Sequence, residues 1–578
     1  MTRSHLLLLI TVLHSFLPAL AQNDLGQRLI QKTQSLIEEK METEKIVGVS
    51  AAIILNDSIL WEKGFGYADI EKQVAMDENT VVHIGSITKP VTALCAMQLQ
   101  ERGLLDINEP ITTYLPQFDP HNQFGDNSEI TVKHLIMHAA GLQGDIFKNS
   151  DLASGKYTDV VDFINKTQVL YPPGRLEYYS NAGYNILGHI IRQVSGVDYA
   201  QYVHEHIFKP LGMTQSGFYM DSLANSTKIY DRNGQQVIDY PLRDIASGGI
   251  YCSIHDLALL AQGIINSYHG QSPALVDSTT MRQIFTLQNK AVGYVIGRNK
   301  RGLGWYLFEN EDGLAANHTG SAGYAFAHLM VFLKDKAAIM LLTNSPNGRA
   351  LAENAGYNLL EDFGLAIADV FLPQLIDEKK EIYDEPITVS KEILKAYVGN
   401  YGEAISYSRV FLENDTLQIT RGAESFSLIP KSSTSFAPVD SNGNEIQGTF
   451  YHFKDIGPFP CLVLKRDQTE RVLGYKFAPV NSKKWQEKVG RYEHFGYQLK
   501  AGDMKFESIE LKITEDDVLL AVIYASGNIQ YPMPIDLISE KYGKTAGLLA
   551  GYGWTLTFTE NDTYYLVDFA GLTFRKEK

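Results

Sequence analysis

Two textures of apolar and polar residues divide the chain. Between Gln27 and Glu44, Leu29, Ile30, Leu36 and Ile37 fall among charges at the spacing of an amphipathic helix. Residues 47–55 and 59–67 are apolar runs flanking Asn56-Asp57, which predicts a hairpin of two strands. Residues 86–103 are predicted helical, with Ala93, Leu94, Met97 and Leu104 near one face and Gly103 at the stop. Further helices are predicted over 131–138, 181–195, 199–208 and 255–266, and strands over 325–333 and 337–343. A hairpin and helix first, a long helical stretch next and strands last predict an α+β fold. Its antiparallel sheet is fed from both ends of the domain, with a helical subdomain inserted between.

After about residue 375 the texture changes. The stretch around Pro386 is charged, as an exposed linker over 377–390 would be. Short alternating segments follow, among them 407–412, 416–420 and 425–428, which is the all-β sandwich or barrel signal. Val398-Gly399-Asn400-Tyr401 recurs 91 residues on as Val489-Gly490-Arg491-Tyr492. Two tandem, lipocalin-like barrel domains over 391–481 and 482–578 are expected, behind a first domain over 22–376.

Composition sharpens this division. The 578 residues are 44% hydrophobic and 20% charged, which excludes a disordered chain and a polytopic membrane protein. The net charge of −16 leaves no basic footprint for nucleic acid. From Lys391 onward there are 22 basic and 24 acidic residues, against 29 and 43 before it, so the acidity belongs to the first domain. Aromatics shift the other way, with 27 of 62 in those last 188 residues.

The start of the chain has Arg3, an apolar run from Leu6 to about Leu17 and a small-x-small end at Ala19-Leu20-Ala21. This predicts a signal peptide over 1–21 and a secreted or periplasmic product with no membrane span after cleavage. Cys95, Cys252 and Cys461 are odd in number and far apart, so they are read as small buried hydrophobes rather than a disulfide framework. No His-Glu-x-x-His or Gly-rich phosphate loop occurs, and neither a metal nor a cofactor is expected.

The chemistry-bearing segment is Val82-His83-Ile84-Gly85-Ser86-Ile87-Thr88-Lys89-Pro90. Three residues apart on a helix, Ser86 and Lys89 project from one face. The helix N-terminus lowers the cost of a developing serine alkoxide. Lys89 can accept the hydroxyl proton only when neutral, which requires burial or a nearby cation to lower its pKa from about 10.4. A lone Ser-x-x-Lys is weak, since about two are expected by accident in a chain this long. It gains weight from Tyr178-Tyr179-Ser180-Asn181 and His318-Thr319-Gly320-Ser321, which follow in that order.

With these three motifs the chain resembles the serine β-lactamase and penicillin-binding-protein superfamily, specifically the class C branch that includes D-peptidases and esterases. Flanking phrases agree: Ile130 to His138 followed by Gly141-Leu142, Tyr171-Pro172-Pro173-Gly174, and Ala246-Ser247-Gly248-Gly249-Ile250-Tyr251. The resemblance covers roughly residues 25–375. It implies a β-lactamase-like antiparallel sheet flanked by helices. It also implies that Ser86 is the acylated nucleophile, with Lys89 and Tyr179 as proton-transfer partners, either of which could be the first base. Asn181 would bind the substrate amide and help hold Lys89. The third motif supplies His318, Gly320 and Ser321 to substrate binding, with the N–H groups of Ser86 and Ser321 as oxyanion hole. His318 stands where β-lactamases normally carry lysine, which looks like the D-peptidase and esterase members. A partly charged imidazole there would make a carboxylate anchor pH-dependent and could relay protons to Tyr179.

The resulting expectation is an exported serine hydrolase acting on a small peptide, amide or ester, most readily a D-amino-acid peptidase of carboxypeptidase or aminopeptidase type. A carboxylesterase or a β-lactamase is the alternative within the enzyme class, and a non-catalytic cell-envelope binding protein the alternative outside it. One barrel is expected to lend a loop to the cleft.

Overall fold

The computed structural model describes residues 3–578 except 151–154, 220–222, 240, 289–299, 367–384, 404–405, 441, 457–458, 467–468, 497–505, 526–528 and 546–553. Most of the predicted linker therefore lies outside the described residues.

The chain begins with helix α1 (Arg3–Glu44) and enters a hairpin of β1 (Gly48–Leu55) and β2 (Ser58–Asp69). Asn56 and Asp57 turn the hairpin at φ 53° and 65°, a left-handed pair that short polar side chains tolerate. After β3 (Val74–Ala75) the sheet is left and regained only at β4 (Lys300–Arg301), β5 (Tyr306–Glu309), β6 (Leu314–Ala322), β7 (Ala325–Phe332) and β8 (Ala337–Thr343). The order is β3-β2-β1-β8-β7-β6-β5-β4, so the first and last strands of the domain, β1 and β8, lie side by side at the centre. This is the sheet fed from both ends that the pattern predicts. Strand β6 escaped the periodicity because His318, Thr319, Gly320 and Ser321 interrupt its apolar run.

Every residue of β1 is buried, because both sheet faces are covered. Val49, Ala51 and Ile53 share core clusters with Ile37 and Leu29 of α1, while Ala52 and Ile54 belong to the large core of the helical body. That body includes α2 (Thr88–Glu101), α3 (Asn181–Ser195) and α4 (Ile254–Tyr268). Ser180 caps α3 by accepting from the Gly183 N–H, and Gly196 ends it at φ 76°. Among the described residues no helix is long and apolar enough to cross a membrane. The three cysteines are free and buried.

Two closed eight-stranded antiparallel barrels follow. The first runs from Gly399–Glu403 to Thr469–Phe477, the second from Gly490–His494 to Leu572–Glu577, and in each the first strand pairs with the last. The repeated Val-Gly-x-Tyr phrase opens both barrels: Tyr401 and Tyr492 are buried and each hydroxyl donates to a carbonyl four residues back, Tyr397 and Lys488. The architecture is thus a β-lactamase-like α/β domain followed by two all-β barrels.

Candidate active site

The site begins where Val82–His83 pairs with Tyr251–Cys252 and the chain turns sharply at Gly85, φ 51°. Ser86 sits in the 3-10 turn Gly85–Ile87 that leads into α2, one turn earlier than a residue of the helix proper. Strand β6 passes against this turn. A side chain at Gly85 would come within 2.5 Å of the Ser321 carbonyl, and one at Gly320 would collide with the Ile84 carbonyl. The two glycines therefore let the Ser321 backbone lie beside Ser86. Both serines line one cleft.

Lys89 is fully buried, and its ammonium has two partners: Nζ donates to Ser86 Oγ at 3.0 Å and to the Ser247 carbonyl at 2.7 Å. Burial drives its pKa down to about 7, against the pull of the Asp145 and Asp244 carboxylates, while Arg301 pushes the same way as burial. Nζ also lies 4.6 Å from the Tyr179 ring centre and 5.7 Å from that of Tyr184. Here the expectation for Asn181 changes. Its side-chain Nδ2 donates to Asp145 Oδ1 at 2.7 Å, and the Ser247 carbonyl holds Lys89 instead. Ser247 is in turn fixed by Asn185 Nδ2, 3.3 Å from its Oγ, which explains the Ala246 to Tyr251 phrase.

The Tyr179 hydroxyl hydrogen-bonds Ser86, and burial pushes its phenol far above the ordinary tyrosine range, so it stays protonated at neutral pH. His138 orients that ring. It adopts φ 55°, unusual for a non-glycine residue, stacks on Tyr179 with centres 4.3 Å apart, and accepts the Ser180 N–H at Nδ1, 3.0 Å away. The sequence signal for His138 was its place in the flanking phrase, with nothing to indicate the stacking.

His318 lies on β6 with its ring 5.8 Å from that of Tyr306, and it is 2% exposed. Nδ1 donates to the Thr319 carbonyl at 2.6 Å, which leaves Nε2 as a buried acceptor without a hydrogen bond. Burial, then the charges of Lys89 and Arg301, push its pKa down to about 3. The partly charged imidazole expected from the sequence is therefore neutral, and it provides no pH-dependent anchor for a carboxylate. Arg301 was missed altogether. It is buried, ion-paired to Glu177, and its guanidinium lies 3.4 Å over the Tyr306 ring. No local motif marks either member, because the pair joins residues more than a hundred positions apart.

The cleft has a volume of about 180 Å³ and is lined by Ser86, Asn181, Ser247 and Ser321 together with Asp145 and Asp244. Ile146, Phe147 and Leu242 give it an apolar side. All the lining residues belong to the first domain, so the expected loop from a barrel is absent among the described residues. The second barrel instead backs the cleft wall. Phe147 packs 5.5 Å from Phe506 and 6.2 Å from Trp554, its N–H donates to the Ala570 carbonyl at 2.8 Å, and Thr555 Oγ1 donates to Gln143 Oε1 at 2.5 Å. No group of three or more His, Cys, Asp or Glu that could hold a metal occurs among the described residues.

Fold and site together define a serine hydrolase of β-lactamase and penicillin-binding-protein type. The Beta-lactamase family pattern matches residues 33–362, more than half of the chain, and the chain belongs to that family. It is similar to PbpX of Bacillus subtilis (strain 168), 30% identical over 363 residues, which are 59% of this chain and 85% of that protein. The octameric penicillin-binding protein homologue from Pyrococcus abyssi superposes with a TM-score of 0.52 at 23% identity, covering 77% of this chain and 99% of that one. SurE superposes with a TM-score of 0.57 at 20% identity, covering 78% of this chain and all of the other.

Proposed function

We propose that the protein is an exported serine hydrolase that forms an acyl-enzyme on Ser86 and cleaves small D-amino-acid peptides. The observation that carries the chemistry is Lys89, buried with a pKa of about 7 and 3.0 Å from Ser86 Oγ. The D configuration is carried by family resemblance, and export by the signal-like residues 1–21.

In this reading neutral Lys89 takes the Ser86 hydroxyl proton as Oγ attacks the scissile carbonyl carbon. Tyr179, held protonated by burial, is the donor to the leaving nitrogen rather than the first base. The tetrahedral oxyanion is received by the N–H groups of Ser86 and Ser321, a pair in which each donor is worth about 2.7–4 kcal/mol of barrier. As the amine departs, the proton held by Lys89 restores the Tyr179 phenol; neutral Lys89 then takes a proton from the water that attacks the ester on Ser86 and delivers it to Oγ as the acid leaves. Neutral His318 contributes a free acceptor, Nε2, and no charge. Asn181 is the substrate-amide donor, held by Asp145.

The apolar side made by Ile146, Phe147 and Leu242 favours one second reading, a short-chain carboxylesterase. Turnover of a D-alanyl nitroanilide, a short-chain nitrophenyl ester and a cephalosporin by wild type and Ser86→Ala ranks the substrates. The proposal expects the nitroanilide to be cleaved, an acyl mass on Ser86, and neither in the variant. A chain that neither turns over any of the three nor labels with a fluorescent phosphonate is a binding protein instead.

A further inference from the structure

We infer that the cleft reads a free ammonium group on the acyl half of its substrate through Asp145 and Asp244, with Ser150 Oγ as a third acceptor. This rests on the hydrolase reading above and selects the aminopeptidase type within it.

The charge of the cleft is one-sided. Asp145 and Asp244 line the same cavity as Ser86 and Ser321, and no Lys, Arg or His side chain lines it among the described residues. A substrate ending in a carboxylate next to the scissile bond would face two carboxylates, whereas an ammonium would be attracted by both. Asp145 Oδ1 accepts from Asn181, and among the described residues no hydrogen bond to its Oδ2 is seen. Asp244 Oδ1 accepts from Arg243 Nε at 2.6 Å. Arg243 does not itself reach the cleft: it is completely buried, and its other two nitrogens donate to the Lys148 and Ile146 carbonyls at 2.6 Å each. One oxygen of each carboxylate is therefore left over.

A second feature points to a ligand independently of the acids. Ser150 is 7% exposed, lines the cleft, and its buried Oγ has no hydrogen-bond partner. Buried hydroxyls are nearly always bonded, and this one belongs to a residue in the wall of the cavity that holds the carboxylates. It can accept one N–H of an ammonium while the two acids take the others. The small cavity confines the ammonium close to the carbonyl attacked by Ser86, as in an α-amino acyl group. Burial and the neighbouring Asp244 charge both raise the pKa of Asp145, a strain that a bound cation relieves. The rival role for the two acids is to tune Lys89 alone, because both favour its charged form.

The two roles separate in a ratio. D-alanine 4-nitroanilide and its N-acetyl derivative use the same nucleophile and the same Lys89; the second replaces the ammonium with a neutral, bulkier acetamide, and the carboxamide variants separate charge from size. At pH 7 the full-length protein is expected to favour the free amine by at least about tenfold in kcat/KM, with the α-amine largely protonated below its pKa of about 7.7–8.0. Asp145→Asn is expected to reduce that ratio about tenfold, Asp244→Asn less because Arg243 already engages it, and Ser150→Ala by about threefold. A change confined to Lys89 would alter both substrates alike and leave the ratio intact. Protection of Ser86 from a fluorescent phosphonate by D-alaninamide, but not by N-acetyl-D-alaninamide, gives the same answer without turnover. Equal use of the two nitroanilides, or a ratio unchanged in Asp145→Asn, overturns the ammonium assignment while phosphonate labelling leaves the hydrolase reading standing. Failure of phosphonate labelling itself overturns both.

Discussion

Lys89 and Lys544 are both buried lysines whose ammonium is disfavoured by burial, one with a pKa brought down to about 7 and the other to about 8. Their surroundings differ. Lys89 meets a serine hydroxyl at the floor of a cleft. Lys544 lies where the three domains meet: it belongs to the second barrel, donates to the Leu170 carbonyl of the first domain at 3.1 Å, and is surrounded by the rings of Tyr171, Tyr475 and Phe459 at 4.5, 5.0 and 5.3 Å. Its carboxylate, Asp536, is 3.9 Å away and accepts the Tyr475 hydroxyl at 2.8 Å. A depressed lysine pKa therefore reports burial in both places. Only the nucleophile within reach and the open cleft make one of them chemical.

The largest expected effect tests that distinction. Lys89→Met removes the base, and with Ser86→Ala it is expected to lower kcat/KM by at least about 10³-fold while the protein stays folded, read by steady-state kinetics and circular dichroism. Lys544→Met should do the converse. It removes an ammonium that burial disfavours in the folded state, so stability in chemical denaturation at pH 7 is expected to stay level or rise by up to about 3 kcal/mol, with phosphonate labelling of Ser86 within about threefold of wild type. Loss of labelling in folded Lys544→Met would make the junction part of the site. The pH dependence carries the same contrast. The folded pKa of Lys544, about 8, lies below the unfolded value of about 10.4, so the unfolded chain binds more protons between them. Stability from this group rises with pH across that window, and the Lys544→Met variant lacks that slope.

Phe147 links the two regions, since it lines the cleft and packs on the second barrel. It is only half-buried, so Phe147→Ala is expected to cost about 1–2 kcal/mol, less than a full core aromatic, and to raise KM more than it lowers kcat. A change in kcat alone would place the ring in the chemistry rather than the wall. The smallest effect is the titration of Lys89. Because the base must be neutral, kcat/KM for the N-acetyl nitroanilide, which carries no titrating amine, should rise about tenfold per pH unit below 7 and level above it. A flat profile between pH 6 and 8 would remove Lys89 as first base.

The local elements were readable because their signals are local. The Ser180 cap that accepts the Gly183 N–H, the Asn56-Asp57 turn and the buried run of β1 follow from residues within a few positions of one another. The Ser86–Lys89 pair was legible for the same reason, as a three-residue spacing. Ser247 was visible only as part of a phrase, and nothing in the sequence said that its carbonyl, 158 positions from Lys89, would hold the ammonium. His318 shows the limit most plainly. Its identity and position were readable, but its charge was not, because that depends on burial and on Lys89 and Arg301 brought in from distant segments.

The sequence by itself determined the family, the order of the motifs, the central sheet fed from both ends and the presence of two barrel-like repeats, since periodicity and short-range spacing encode these. Tertiary structure alone decided how the groups are charged and what they face. Burial lowers Lys89 to about 7, Arg243 is directed onto backbone carbonyls, and Asp145 and Asp244 are brought into the lining of the cleft. It also decided that the second barrel reaches the site by backing the wall at Phe147. The physical reason is common to all of these: desolvation and charge proximity depend on distances that the chain sets only when segments far apart in sequence pack together.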